Sequence, residues 1–169
     1  MNASAVLSPQ RARPGAAIVW AGSAAGSLDI TAAFLVYGHF GLKPIPLLQG
    51  IAAGLLGPSR ALAGGLSTAA LGLACQYFIA FSASAVYFAA SRGFGFLLDH
   101  AVISGAAYGI AVYFFMNRIV VPLSAARKYP FSWEMMLIGV TIHIFCVGFP
   151  ITLLVRKYSA WPAADEHRR

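Results

Sequence analysis

Residues 133–155 read WEMMLIGVTIHIFCVGFPITLLV, with Glu134 near the start and no other Asp, Glu, Lys or Arg. As an α-helix this run rises about 34 Å, enough to cross a hydrocarbon core of about 30 Å. It lacks the alternation of a half-buried strand and the polar stripe of a surface helix. Residues 16–38, 61–90 and 100–121 are as long and nearly as apolar. Together the four runs predict an all-α integral membrane protein: four transmembrane helices in an antiparallel bundle, forming a single domain over residues 15–158. Residues 1–14 and 159–169 are expected to be flexible tails.

Composition points the same way. Of 169 residues, 59% are hydrophobic and 10% charged, against about 25% charged in ordinary globular domains. The expected solvent is therefore lipid. The net charge of +7 does not point to nucleic acid, because the cations stand in ones and twos at the ends of apolar runs and form no stripe. They bear instead on topology. Four spans place Arg11, Arg13, Arg92, Arg156, Lys157, Arg168 and Arg169 on one side and Lys43, Arg60, Arg118, Arg127 and Lys128 on the other. The excess of cations on the first side predicts that both termini are cytoplasmic. Arginine prevails over lysine and alanine is abundant, a bias of GC-rich bacterial genomes, so a bacterial inner membrane is the expected location. Cys75 and Cys146 fall inside apolar runs and read as small hydrophobes, not as a disulfide framework. Arg11 and Arg13 ahead of an apolar stretch imitate a signal peptide. The apolar pattern resumes through residues 30–37, however, and marks a first span containing Asp29.

Between the first two spans, residues 45–56 form an apolar segment that as a helix reaches only about 18 Å, too short to cross. Pro46 suits its first turn, and Gly57 with Pro58 stops it. It predicts a short interfacial or re-entrant helix. Ser59, Asp99 and Ser132 offer N-terminal oxygens to the second, third and fourth spans. The short loop at residues 92–98 predicts that the second and third spans are antiparallel neighbours. Small residues recur at four-residue spacing, which lets helix backbones approach. Gly22 and Gly26, Gly64 and Gly72, and Gly105 and Gly109 are the expected packing positions in the spans, with Gly50 and Gly54 in the short helix.

An ionisable residue inside a span is costly and marks a functional candidate. Asp29 lies about 14 Å from the outer end of its span and His143 about 17 Å from the outer end of the fourth. An imidazole beside a carboxyl group can exchange protons; a buried pair can equally fix helix register. Gln76 and Tyr108, about 20 Å deep by the same arithmetic, are expected to extend this polar centre, with Cys146 beside them. Pro150 is expected to loosen the fourth helix and free backbone acceptors. Haem ligation would need a second central histidine facing His143, and zinc a second pair at ligand spacing beside His143 and Cys146. Neither is present in the sequence, and no nucleotide loop, G-x-S-x-G or H-E-x-x-H occurs. No cofactor, no metal and no enzymatic activity are expected.

The runs Gly26-Ser27-Leu28-Asp29-Ile30, Leu48-Gln49-Gly50-Ile51-Ala52-Ala53-Gly54-Leu55-Leu56-Gly57 and Val121-Pro122-Leu123-Ser124 resemble a family of small bacterial four-helix inner-membrane proteins, a domain of unknown function. The likeness covers nearly all of residues 15–158. It implies a bacterial membrane location and no activity. Some similar chains carry histidine where Gln76 stands, so histidine chemistry in the second span is not implied here.

Two functions fit. One is proton-linked or small-solute transport using an Asp29–His143 pair. The other is a noncatalytic structural or accessory role, in which the glycine faces bind partners. The expected partners are the lipid bilayer, a second copy or another membrane protein.

Overall fold

A computed structural model describes residues 13–159 of the chain. The expected tails fall outside this range except for Arg13, Pro14 and Ser159. Among the described residues there are helices and connecting turns but no strand. Four helices are long and apolar enough to cross a membrane: α1 (Pro14–His39), α4 (Gly65–Gly93), α6 (Ala101–Leu123) and α7 (Trp133–Tyr158). The short helix is α2 (Pro44–Leu56); α3 (Pro58–Ala63) and α5 (Phe96–Asp99) are little more than single turns.

Helix ends follow local chemistry. Met135 N–H donates to Ser132 Oγ at 3.4 Å, capping α7 as expected. Asp99 instead closes α5, and His100 stands before α6 without a side-chain cap. The second long helix begins at Gly65, not at residue 61, because Gly65 takes φ +58°, a left-handed conformation open to glycine. The break leaves the last carbonyls of α3 without helical partners, and Thr68 donates to one of them, Ala61 O, at 2.6 Å. Buried Gln49 of α2 donates to Gly65 O at the start of the long helix, at 2.9 Å.

Prolines reshape α6 and α7. Each contains a widened π turn, Met116–Val120 and His143–Gly148, followed by a residue and then proline. Val121 N–H donates to Met116 O and Phe149 N–H to Ile144 O, five residues back instead of four. Pro122 and Pro150 lack an N–H and would crowd the carbonyl four residues back; one extra residue in the turn relieves that clash. Pro150 thus loosens its helix by widening it.

Contacts order the long helices as α4, α1, α7, α6, with α2 packed on α4. Gly22 and Gly26 lie against Phe81 and Tyr77 of α4, so contact positions climb α1 as they descend α4. Gly105 meets Gly148, Phe149 and Thr152, and Gly109 meets the backbone of His143 and Ile144, again in opposite directions along α6 and α7. Gly72 admits the backbone of Leu48 and Ala52, which sets α2 on α4. Arg13 N–H donates to Tyr158 O at 3.1 Å, bringing the start of α1 to the end of α7. The short loop does not make α4 and α6 close neighbours. They meet through tyrosines: Tyr108 Oη donates to Ala83 O at 2.7 Å and its ring stands edge-on to Tyr87, 4.9 Å between centroids.

The interior is lined largely by small side chains, with Ala17, Ala21 and Ala25 fully buried one turn apart on α1. Large ones point outward: Leu35 and Phe78 are each 72% exposed, and Trp20, Leu66, Leu137 and Phe145 are exposed as well. Water-soluble proteins avoid so extensive an apolar exterior. Small residues inside and large ones outside is the arrangement of helices packed in lipid.

Candidate functional site

Asp29 sits on the face of α1 that meets α4. Gln76 Nε2 donates to Asp29 Oδ2 at 2.7 Å, and both side chains are half-buried. This is the one side-chain bond between α1 and α4 that reaches a carboxylate, and Gly26 is the reason it forms. With no Cβ at Gly26, Tyr77 and Ala80 come close, so the next turn of α4 presents Gln76 to Asp29. Ser27 Oγ and Tyr77 Oη share a 2.8 Å hydrogen bond one layer over. Along its length α1 also packs against the widened turn of α7.

His143 is oriented differently from the expectation. Its Nδ1 lies 2.9 Å from Gly139 O in its own helix; a carbonyl only accepts, so Nδ1 carries the proton. The ring stands edge-on to Tyr113 of α6, with centroids 5.3 Å apart. Counting residues puts Asp29 and His143 at similar depth, but the hydrogen bonds drawn by each go elsewhere, and neither side chain is fully buried. The acid's partner is the amide of Gln76. Depth along a helix follows from counting residues, whereas rotation about its axis is set by packing: Gly109 seats the His143 backbone against α6 and its ring goes to Tyr113.

Tyr108 also leaves the expected centre. Its bond to Ala83 falls seven residues beyond Gln76 along α4, about 10 Å away. Among the glycines, Gly22, Gly26, Gly72, Gly105 and Gly109 all take close neighbours from another helix. Gly64 is crowded by Thr68 of the following turn, Gly54 by Ser124 at 3.7 Å alone, and Gly50 faces outward with nothing within 4 Å of a Cβ. Sequence reasoning missed Gly139, which receives the Tyr113 ring, and Gly148, which receives Gly105. Their nine-residue separation shows no small-residue spacing. It also missed Gln49, whose one clue was a lone amide in an apolar helix.

Among the described residues, no three His, Cys, Asp or Glu side chains gather as a metal site, and Cys75 and Cys146 are free thiols. Chemically, the centre offers one carboxyl group and one amide between α1 and α4, with the Ser27 and Tyr77 hydroxyls one layer over. No protein-family model matches the chain, and no curated protein or solved structure is significantly similar to it.

Proposed function

We propose that this chain is a multi-pass protein of a bacterial inner membrane, an antiparallel bundle of four transmembrane helices with both termini cytoplasmic. In this reading it carries a proton, or a small solute coupled to one, through a centre built on Asp29. The observation that supports it is the Asp29–Gln76 pair: a carboxyl group about 15 Å inside an apolar helix, held by a single neutral donor. Ionisable groups at that depth are rare and line proton or ion pathways. A carboxyl group with one amide donor keeps acceptor capacity free, whereas one enclosed in a complete set of donors would be locked in place. Gln76 orients the acid, and the widened turn of α7, which packs on α1, can yield more readily than a regular helix. His143, bonded to its own backbone, is assigned a packing role and no part in proton transfer.

The competing reading makes the same pair a register lock between α1 and α4 in an accessory protein. Proton flux in proteoliposomes, set beside thermal unfolding, separates the two. Asp29→Asn keeps the shape and a hydrogen bond to Gln76 but removes the titrating group. Transport predicts that flux falls to the protein-free background while the unfolding temperature stays within a few degrees. Absence of flux in the parent protein, together with lost stability in the variant, would establish the lock.

A further inference from the structure

Between α4 and α6, where the two helices meet through tyrosines and not through close backbone packing, lies an open crevice of about 310 Å³. That is the lower end of the roughly 300–1,000 Å³ range of small-molecule sites. Its width comes from Ala90, Ala107 and Ala111. Its walls offer hydrocarbon: the Tyr87 and Tyr108 hydroxyls are spent on Leu97 O and Ala83 O, and the Ser104 hydroxyl is sealed inside the wall. The lining gives a polar ligand no group to hold, and water is disfavoured in such a space.

We propose that this crevice holds one acyl chain of an anionic phospholipid from the leaflet on the side of the α4–α6 loop. The proposal rests on the membrane reading above. From Ile103 to Ala111 the crevice follows α6 for about 12 Å, close to the roughly 15 Å of hydrocarbon in one leaflet. It ends at the loop through Phe96, whose ring stacks on exposed His100 at 4.4 Å. Among the described residues, the same end of the bundle carries exposed Arg13, Arg92, Arg156 and Lys157 against one exposed acid, Asp99. This excess of cations favours an anionic headgroup above the chain. A lipid chain also completes the packing that the α4–α6 pair leaves open, since a gap beside helices forfeits dispersion contacts.

The test is photolabelling of the whole protein in mixed vesicles, using phosphatidylglycerol or phosphatidylcholine that carries the same photoactivatable acyl chain. Labelled positions are mapped by mass spectrometry. Cofloatation of the protein with the vesicles is scored first; its failure would overturn the membrane reading itself. With cofloatation, the expected result is label concentrated at residues 103–111 and at Ala90, several-fold stronger for phosphatidylglycerol. Ala107→Phe should fill the crevice and lower that label at least fivefold, while Ala70→Phe, on an exposed part of α4, should leave it unchanged. Should Ala107→Phe not fold, the map on the parent protein still decides. Label spread evenly over outward residues such as Leu35, Leu66 and Phe78 overturns the proposal, as does equal labelling by the two lipids. Absence of label in the crevice of a cofloated protein also overturns it.

Discussion

Replacing Gly148 by alanine adds one methyl group at the close crossing of α6 and α7. A Cβ there would overlap Gly105 O and lie 3.0 Å from both Gly105 C and Gly109 N. Carbon atoms settle at about 3.5–4 Å, and every atom met is backbone, so no side chain can rotate away. To clear the carbonyl oxygen the helices must separate locally by about 1 Å. Overpacking of this kind costs about 1–3 kcal/mol. For a chain of this size, each kcal/mol corresponds to roughly 2–4 °C in Tm, so Gly148→Ala should unfold about 2–12 °C lower. Gly50→Ala is the matched control: a Cβ there meets nothing within 4 Å, and alanine gains up to about 1 kcal/mol of helix propensity. Its Tm should hold or rise. Thermal unfolding of the parent and both variants in one detergent, followed by intrinsic fluorescence, gives the comparison. Equal Tm for Gly148→Ala and Gly50→Ala would refute the α6–α7 crossing described here.

Other outcomes follow from the polar layer. In a double-mutant cycle, Asp29→Leu with Gln76→Leu, each of which removes the hydrogen bond, should show a coupling of about 0.6–1.7 kcal/mol, the mean and maximum for hydrogen bonds between membrane helices; denaturant titration in micelles reads it, and no coupling would mean the two side chains do not meet. His143→Phe keeps a ring against Tyr113 and loses one bond to Gly139 O. It should cost about 0.5–1.5 kcal/mol and leave proteoliposome proton flux within twofold of the parent, whereas abolished flux in a folded variant would return His143 to the centre.

Hydropathy made the four long helices legible because lipid-facing helices are apolar on every side and about as long as the bilayer is thick. Proline and glycine made α2 and its stop legible. The start of α4 was not, since Gly64-Gly65 interrupts an apolar run without changing its hydropathy. Asp29 stood out as an acid in a span, but its partner did not. Counting gave Asp29, His143 and Gln76 similar depths, and only packing at Gly26 and Gly109 decided which way each helix turned. The spacing of Gly105 and Gly109 announced a close approach without naming Gly148 as what approaches. Pro150 signalled a disturbed helix; that the disturbance would be a widened turn, repeated before Pro122, depends on how the carbonyls five residues back are met.

The central claim is that one carboxyl group in the α1–α4 layer carries the proton, and exchanging the pair tests it most directly. Asp29→Gln combined with Gln76→Asp moves the acid to α4 while retaining an acid–amide pair in the same layer. Proton flux is measured in proteoliposomes for the parent, Asp29→Asn and the exchanged variant, each with its Tm. The account predicts flux in the parent, none above background in Asp29→Asn and recovery to at least one tenth of the parent in the exchanged variant. Full flux in Asp29→Asn, or an exchanged variant that is folded and silent, would contradict it.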